Sequence, residues 1–583
     1  MTGAGLAQVG LLPLVPLLPL VLLTVLWFRR CTATALRLVP WAPLPGLLLV
    51  LLPPSEAVFE LPWMLLGGSL GLDPAGRLFL FLFSLLWMAA GLYARGYLRE
   101  DPRQRRFFAF FLLAMCGNLG MPIARDMLDF YLFFAMMSFS AYGLVVHDSS
   151  EFALRAGRIY LYLVLVSEVV LFVALVLAAQ AGQSLALADA AVAIALAPER
   201  NLIMALLLVG FGIKMGVVPL HVWLPLAHPA APIPASAVLS GAMIKAGLLG
   251  LLRFLPLGEV ALPGWSLVFI LLGLAMAFFG VLAGLAQHQA KAVLAYSSIS
   301  QMGFPLLGLG LALAAPQSWP LLAPVILLYA LHHGLAKGAL FLGVGMAGEL
   351  TVSTRRRYLV LGGLLLPALA LAGAPLTSGA LAKGALKPLV SMAPGGWAEL
   401  LPWLLSLGAI GTTLLMARFL AVLWPRSAAR QAPRPLMWSG WGLLILGVLL
   451  CRDGRLPDFI GVTATPGGFS YGLWDALWPV AVGALVAAAA WLRLPRRGGE
   501  AAALLPPGEL LLVLRKFMQP LTQLARRLHV DVLPRRLKWR APPGVRWHNL
   551  ALLLSLHEAE QALRRLPTAG LVFLIVLLLL LTL

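Results

Sequence analysis

The most informative stretch of the chain is GFGIKMGVVPLHVWLPLAHPAAPIPASAVLSGAMIKAGLLGLLRF, residues 210–254. It is apolar enough for two membrane-spanning helices, yet Lys214 and Lys245 lie inside it, and Lys383 lies inside a similar segment further along. An ammonium near the centre of a bilayer costs about 2.5–3.5 kcal/mol on insertion scales. A chain keeps such a lysine where a paired carboxylate, a water-filled cavity or a function in proton transfer offsets this cost. Three lysines of this kind therefore predict an ion path.

The composition is that of a membrane protein. Of 583 residues, 61% are hydrophobic and 11% are charged, and the mean hydropathy is +0.93, whereas a soluble domain carries about 25% charged residues. The net charge of +20 does not indicate nucleic-acid binding, because most basic residues lie in short clusters between apolar segments. Cys31, Cys116 and Cys451 are too widely spaced for a metal-ligand or disulfide pattern. We expect neither a cofactor nor a metal in this chain.

The apolar segments predict an all-α polytopic protein with about sixteen transmembrane helices. The expected spans are residues 5–28, 35–53, 76–94, 106–124, 126–146, 157–181, 200–228, 234–255, 264–286, 292–314, 320–346, 359–389, 397–424, 434–451, 471–492 and 567–583. Basic residues concentrate in every second connection, for example at 95–106 and 355–357, and acids in the others. We expect the chain in a bacterial inner membrane, and the alternation predicts both termini on the periplasmic side.

The seventh and twelfth predicted spans contain internal helix breakers. In the seventh span Lys214 precedes Pro219, and in the twelfth Lys383 follows Pro375. Proline frees a backbone carbonyl from its helical partner, and broken helices at corresponding places in two halves are typical of inverted repeats with the ion site at the break. We therefore predict two inverted five-helix repeats.

The chain divides into five predicted regions. They are N-terminal helices (1–105), a core with the inverted repeats (106–425), peripheral helices (426–492), a basic segment (493–566) and a last helix (567–583). Within the basic segment, residues 510–527 have apolar residues at helical spacing with basic residues between them. This pattern favours a cytoplasmic amphipathic helix on the membrane or on a neighbouring subunit, with an isolated basic surface helix as the alternative.

Residues 60–425 resemble a known family. The segment 210–254, KAVLAYSSISQMGF (291–304), LHHGLAKGALFLGVG (331–345) and APLTSGALAK (374–383) are similar, in the same order, to blocks of the antiporter-like subunits of respiratory complex I. Relatives occur in energy-converting hydrogenases and in Mrp-type cation/proton antiporters. The block around Lys245 is more similar to the hydrogenase and Mrp branches than to complex I proper.

The resemblance implies roles for several of the polar residues. Lys214 corresponds to the central lysine of the family's seventh helix and Lys245 to the lysine that relays protons inward. His333 and Lys337 match the polar pair of the eleventh helix, and Lys383 the lysine on the exit side. Gln301 replaces a histidine that many relatives carry, which implies a hydrogen-bond or water site.

One departure from the family concerns the fifth helix. Relatives carry a glutamate there that pairs with the seventh-helix lysine, and this chain has Ala135. Glu168, in the middle of the sixth span, is the expected replacement partner of Lys214, because two unpaired buried charges would each be costly. A structural role for Glu168 and pairing by Asp129 instead remain open.

Other polar residues near the predicted path are ambiguous. His221 and His228 adjoin the break in the seventh span and are either members of the path or loop residues. His332 is expected to be a packing residue, and Arg253 and Lys387 to be interfacial anchors.

The predicted function is that of a proton-translocating subunit of a multi-subunit energy-converting membrane complex, which itself performs no catalytic chemistry. Its partners would be other subunits, the lipid bilayer and protons, with sodium as the alternative ion. Alternatives are a subunit of an Mrp-type sodium/proton antiporter and the membrane subunit of a two-component inorganic-carbon uptake system. A scaffold that has lost pumping is a further alternative, but the costly lysines argue against it.

Overall fold

The structure is a computed structural model. It describes residues 3–54, 56–62, 67–347, 354–423, 433–452 and 472–493, and also Leu456, Ile460 and Gly508. The predicted amphipathic segment, apart from Arg493 and Gly508, and the predicted last span 567–583 therefore lie outside the described residues. All helices and strands named below belong to one compact unit, which comprises Met1–Leu61 and Gly68–Pro507.

The described chain is almost entirely helical, which confirms the predicted all-α class. In chain order the helices are α1 (Gly3–Trp27), α2 (Thr32–Leu38), α3 (Leu44–Leu51), α4 (Pro74–Tyr97), α5 (Gln104–Gly120), α6 (Met127–Val145), α7 (Glu151–Gly182), α8 (Leu187–Leu196), α9 (Arg200–Met215), α10 (Leu224–Ala230), α11 (Ile233–Val238), α12 (Ile244–Phe254), α13 (Pro263–Leu285), α14 (Ala290–Ala314), α15 (Trp319–Met346), α16 (Thr354–Ala372), α17 (Ser378–Leu386), α18 (Trp397–Leu423), α19 (Pro435–Leu450) and α20 (Leu473–Arg493). A short antiparallel hairpin, β1 (Val58–Leu61) and β2 (Gly68–Gly71), precedes α4.

Thirteen helical stretches in the described part of the chain are long and apolar enough to cross a membrane. Three predicted spans are not among them. The span at 359–389 is divided into α16 and α17, the span at 434–451 is the 16-residue helix α19, and the last span is not described. The predicted inverted repeats stay a prediction.

Polar side chains mark the starts of several helices. Asp73 caps α4 by accepting a hydrogen bond from the Gly76 amide, 2.6 Å away. Ser150 caps α7 in the same way through the Ala153 amide, at 3.2 Å. These caps satisfy amide groups that have no partner within the helix, and they set where the membrane-spanning segments begin.

The centre of the bundle is formed by α12, α14 and α15, and the periphery by helices such as α1, α7 and α20. In the stretch Pro316–Met346, which contains α15, every residue of the most apolar 18-residue segment is buried. In α20 only 11% of the corresponding segment is buried. The outward faces of the peripheral helices are apolar and exposed, as expected where the solvent is lipid. The polar residues of interest lie in the buried centre.

Both predicted helix breaks are present, and they share one backbone motif. After α9, Gly216 has φ +82°, and the Gly216 and Val217 amides donate to the Gly212 carbonyl. After α16, Gly373 has φ +89°, and the amides of Gly373 and Ala374 donate to the Leu369 carbonyl. Glycine adopts this left-handed conformation without steric cost, so each helix ends abruptly beside a lysine.

The eighth predicted span is less regular than the sequence indicates. Residues 234–255 are expected as one helix, but a π-helical turn, Leu239–Met243, separates α11 from α12. Gly241 in this turn lies so close to α15 that a Cβ atom would meet the Gly334 carbonyl oxygen at 3.1 Å. Such π turns change the register of a helix and are common at functional sites. Here the turn lies immediately before Lys245.

Candidate functional site

Lys214 lies at the end of α9, against α6 and α7, and its side chain is 2% exposed. Its Nζ donates to the Tyr160 hydroxyl at 3.1 Å, and that hydroxyl donates to the Ser138 carbonyl at 2.7 Å. The ammonium also lies 6.0 Å from the centre of the Phe134 ring. A cavity of about 10 Å³, lined by Lys214, Tyr160 and Ser138 among others, adjoins it. Tyr160 was not expected from the sequence, because only packing of α7 on α9 brings it to the lysine.

Glu168 lies on α7, is 4% exposed, and interacts electrostatically with Lys214. Among the described residues no donor forms a hydrogen bond of 3.5 Å or less with its two carboxylate oxygens, and the Ser138 hydroxyl is a nearby polar group that interacts with the carboxylate. Within that part of the chain no ion pair of 4.0 Å or less joins Glu168 to a basic residue. The acid and the lysine are therefore neighbours without direct contact, and Tyr160 occupies the hydrogen-bonding position on the lysine.

Asp129, the rival partner, lies in the first turn of α6 beside the β-hairpin. Its amide donates to Asp126 at 2.7 Å, and Asp126 also accepts from the Ser69 amide at 3.1 Å. Five residues, or roughly 7 Å along the helix axis, separate Asp129 from Phe134 at the lysine. Asp129 thus lies in the first turn of α6, at a distance along the helix from the residue that contacts Lys214, and its role as the rival partner stays a prediction.

Lys245 lies in the first turn of α12 and is fully buried. Its Nζ donates to the Ser240 carbonyl at 2.6 Å, a group that belongs to the π-helical turn. The Ser240 hydroxyl is hydrogen-bonded to the Ser298 hydroxyl of α14 at 2.8 Å. The irregular turn therefore supplies the acceptor for the lysine and connects it to the next helix.

Lys337 and His333 lie one turn apart on α15, and both are fully buried. Lys337 donates to the Leu294 carbonyl at 2.8 Å and to the Ser297 hydroxyl, both on α14. Neither ring nitrogen of His333 has a hydrogen-bond partner among the described residues. Because residues at this spacing share one helix face, His333 lies on the same side of α15 as Lys337.

Gln301 on α14 is part of a hydrogen-bonded chain across three helices. Its amide nitrogen donates to the Thr412 hydroxyl of α18 at 2.9 Å, and its amide oxygen accepts from the Tyr329 hydroxyl of α15 at 2.8 Å. The ring of Tyr329 packs edge-on against His332. Gln301 occupies a fixed polar position, in agreement with the predicted hydrogen-bond site.

Lys383 lies on α17, just after the second break. Its Nζ donates to the Leu371 and Ala372 carbonyls at 2.8 and 3.1 Å, which are the last carbonyls of α16. It also lies 5.5 Å from the centre of the Phe304 ring. Unlike the other three lysines it is only partly buried. It lines a cavity of about 50 Å³.

His332 was expected to be a packing residue, but its Nδ1 lies 2.8 Å from the Ser378 hydroxyl of α17. This contact links α15 to the helix that carries Lys383. The side chain is fully buried, so the polar contact is the feature that distinguishes it from a packing residue. A histidine pair in a sequence cannot reveal which member meets a polar partner.

The two histidines near the first break are both fully buried. His221 packs edge-on against Phe279, with ring centres 4.9 Å apart, and His228 stacks on Phe341 at 4.7 Å. His221 lies in a short 3₁₀ turn that connects α9 to α10, and His228 lies in α10; whether either belongs to the path stays a prediction. Their aromatic contacts point to packing within the bundle.

The two predicted anchors are each paired with an acid. Arg253 forms an ion pair with Asp73, with Nη2 and Oδ1 3.0 Å apart, which ties α12 to the start of α4. Lys387 pairs with Asp475 of α20 at 3.0 Å. No group of three or more metal-ligating His, Cys, Asp or Glu side chains occurs within the described ranges.

The four lysines share one chemical environment. Lys214, Lys245, Lys337 and Lys383 each donate to a carbonyl or hydroxyl oxygen, and within the described residues none has a carboxylate within 4.0 Å. A neutral oxygen can accept a hydrogen bond from an ammonium or from an amine that has lost a proton. The arrangement is suited to groups that gain and lose protons.

Comparison with known proteins identifies the family. The profile of the NADH:quinone oxidoreductase/Mrp antiporter transmembrane region matches residues 124–393. NADH-quinone oxidoreductase subunit N of Desulforudis audaxviator is 33% identical over 358 residues, which cover 58% of this chain and 68% of that protein. The chain belongs to the NADH:quinone oxidoreductase/Mrp antiporter family. This confirms the resemblance inferred from the sequence blocks.

Other members of the family match over shorter parts of their length. Hydrogenase-4 component B of Escherichia coli is 33% identical over 300 residues, covering 50% of this chain and 44% of that protein. A Na(+)/H(+) antiporter subunit of Alkalihalophilus pseudofirmus is 28% identical over 334 residues, covering 54% of this chain and 65% of that protein. The match thus spans less than half of the hydrogenase component.

Two solved structures share the fold at low sequence identity. The Mrp complex from Dietzia sp. DQ12-45-1b contains a chain that aligns with a TM-score of 0.73 at 20% identity, over 94% of this chain and 61% of that chain. A chain of the membrane-bound sulfane sulfur reductase, an archaeal respiratory membrane complex, aligns with a TM-score of 0.68 at 20% identity. The alignment covers 98% of this chain and 100% of that chain. The protein is a multi-pass membrane protein with this fold.

Proposed function

We propose that this chain translocates protons as an antiporter-like subunit of a multi-subunit energy-converting membrane complex. The observation that supports this most strongly is the set of four lysines on α9, α12, α15 and α17, each hydrogen-bonded to a neutral oxygen. A bilayer protein retains such residues at a free-energy cost. Proton transfer gives them a use that packing alone does not.

In the first half of the proposed route, a proton is held at Lys214 and passed to Lys245. The cavity beside Lys214 has room for about one water. A water there would give the ammonium a second hydrogen-bond partner besides the Tyr160 hydroxyl. Movement of the ammonium between Tyr160 and the neighbouring Glu168 would change how strongly its proton is held.

In the second half, the proton passes from Lys337 and His333 on α15 to Lys383. His332 and Ser378 are hydrogen-bonded between α15 and α17 at 2.8 Å, which supports a route from one helix to the other. Neutral imidazole can both accept and donate a proton, because its unperturbed pKa is about 6.5. On the outer side, Lys383 adjoins a cavity.

Replacement of the middle lysines tests the route. In inverted membrane vesicles that contain the whole complex, Lys245→Ala and Lys337→Ala should each abolish proton uptake while the complex still assembles. Arg155→Ala is the control, because Arg155 is an exposed cation of α7 that lies off the route. Proton uptake at the unmodified rate in both lysine variants would overturn the proposal.

We infer further that Glu168 replaces the glutamate that is missing at Ala135. Burial without a hydrogen-bond partner and electrostatic interaction with Lys214 both support this. Glu168→Gln keeps the shape and removes the charge, and should slow proton uptake by about tenfold or more. Asp129→Asn is the matched control. If Asp129→Asn slows proton uptake more than Glu168→Gln does, Asp129 is the partner of Lys214, and Glu168 does not replace the missing glutamate.

The partners and the orientation are also proposals. Several relatives are named as subunits or components, and both structural neighbours come from multi-subunit complexes. The alternation of basic connections supports periplasmic termini. A cysteine introduced near residue 5 should then react with an impermeant maleimide added to intact cells, in a background where Cys31 is replaced by Ser. Protection of that cysteine would reverse the orientation.

Sodium/proton exchange is the second candidate, since one relative is named as part of a Na(+)/H(+) antiporter. Proton uptake by the vesicles should be unaffected by replacing sodium with potassium if protons alone move. A strict requirement for sodium would favour sodium/proton exchange. The inorganic-carbon alternative stays a prediction.

A further inference from the structure

A cavity of about 50 Å³ lies between α17, α18 and α20, where the second lysine site meets the periphery. Its polar lining consists of Lys383, Lys387, Ser406 and Asp475. Lys387 Nζ lies 3.0 Å from Asp475 Oδ1, across 88 residues of sequence. The cavity has room for about three waters, so it connects Lys383 with an acid that the proposed route has not used.

Exposure of the charged groups increases from the centre of the bundle toward this cavity. Lys214 is 2% exposed and Lys383 is partly buried, whereas the side chains of Lys387 and Asp475 are 30% and 55% exposed. The orientation proposed above places the end of α17 and the start of α20 at the outer face of the membrane. The cavity is therefore positioned between the last buried lysine and the outer surface.

The ion pair between Asp475 and Lys387 is not needed to hold α20 in place. Helix α20 packs along α18, where a Cβ atom at Gly483 would meet Thr413 Cβ at 2.7 Å. An exposed ion pair adds little to such packing. Asp475 lies in the first turn of α20, where the amide dipoles favour a negative charge, and it lines the same cavity as Lys383.

We propose that Asp475 is the acid that receives the proton from Lys383 at the outer end of the path. This rests on the proposed function. The proton leaves Lys383 Nζ, which becomes a neutral amine, crosses the cavity through water, and binds the Asp475 carboxylate, which becomes a neutral acid. Asp475 then releases the proton to outer water, and Lys387 restores the ion pair. Lys383 takes its next proton from the side of His332.

The test compares two acids at the same end of the bundle. In vesicles containing the whole complex, Asp475→Asn should slow proton translocation by about tenfold and change its dependence on the pH at the outer face. Asp475→Glu should restore both. Glu399→Gln is the matched control, because Glu399 is an exposed acid in the first turn of α18 that does not line the cavity.

Two outcomes would overturn the assignment while leaving the proposed function intact. One is normal translocation in Asp475→Asn while Lys383→Ala is inactive. The other is a loss in Asp475→Asn that Asp475→Glu does not restore and that leaves the outer-pH profile unchanged, which would mark a structural contact. Normal translocation in Lys383→Ala would instead contradict the proposed function, and the assignment would fall with it.

Discussion

The lysines at the two helix breaks are held in different ways. Lys214 precedes its break and donates to a side chain, the Tyr160 hydroxyl of a neighbouring helix. Lys383 follows its break and donates to two backbone carbonyls, those of Leu371 and Ala372. The first lysine adjoins a cavity of about 10 Å³ and the second a cavity of about 50 Å³.

This difference follows from the order of lysine and break along the chain. A lysine before the break lies in the last turn of its own helix, and its side chain points back along that helix, where the carbonyls are already bonded. Its contacts are therefore with α6 and α7. A lysine after the break faces the end of the preceding helix, where the last carbonyls have no helical partner and the helix dipole favours a cation. We infer that the first site is adjustable by side chains and the second is fixed by the backbone.

The largest expected effect is common to both sites. Lys214→Arg and Lys383→Arg each keep a cation and its hydrogen bonds, but guanidinium does not release its proton in proteins. Proton uptake should therefore be lost in both variants, while Lys387→Arg at the cavity mouth should have little effect. Uptake that persists in either break variant would show that the lysine there acts through its charge alone.

The next effect should distinguish the two sites. Tyr160→Phe removes the hydroxyl that holds Lys214, and a hydrogen bond to a charged group is worth about 1.5–3 kcal/mol, so uptake should fall by about tenfold or more. Tyr162→Phe, an exposed tyrosine of the same helix, is the control. An equal response of the two variants would mean that Tyr160 does not position the lysine.

The backbone motif should affect stability at both breaks. Alanine at Gly216 or Gly373 must adopt a left-handed backbone, at a cost of about 1–2 kcal/mol. The cost should be higher at Gly216, where a Cβ atom would overlap Leu224 Cδ1, than at Gly373, where it would meet Lys383 Cδ at 3.0 Å. Thermal unfolding in detergent measures this, with Gly442→Ala as the control because space there is open. Equal stability of all three variants would refute the shared motif.

The smallest expected effect concerns a hydrogen-bonded histidine and aspartate outside the membrane, which serve as a reference for the buried sites. His147 Nε2 and Asp101 Oδ2 lie 3.0 Å apart in the connections between helices. Burial lowers the pKa of His147, despite the attraction of Asp101. Burial alone would raise the pKa of Asp101, but its hydrogen bonds with His147 and the Arg103 amide lower it below 3.8.

Asp101→Asn should therefore cost at most about 1 kcal/mol at neutral pH. A lowered carboxyl pKa gives stability that is present above the unfolded pKa and is lost as pH falls through the folded pKa. The difference in unfolding temperature between the variant and the unmodified protein should shrink below about pH 4. A difference that grows toward acid pH would contradict the assignment of the charged carboxylate.

Much of the fold and part of the site could be predicted from the sequence. Costly lysines, helix breakers and hydropathy are local features, so they revealed the membrane class, both breaks and the lysine positions. The partners were not predictable, because they depend on which helices touch. Tyr160 is 54 residues from Lys214 and Asp475 is 88 residues from Lys387. The π-helical turn before Lys245 likewise contains no proline and packs against α15, so the sequence did not indicate it.

The most direct test of the central claim is proton uptake by inverted vesicles that carry the whole complex with Lys214→Ala. The account predicts that uptake is lost although the complex assembles, because the first half of the path then has no group at α9 to hold a proton. Uptake at the rate of the unmodified protein, with the variant complex fully assembled, would contradict the account and leave the chain as a scaffold.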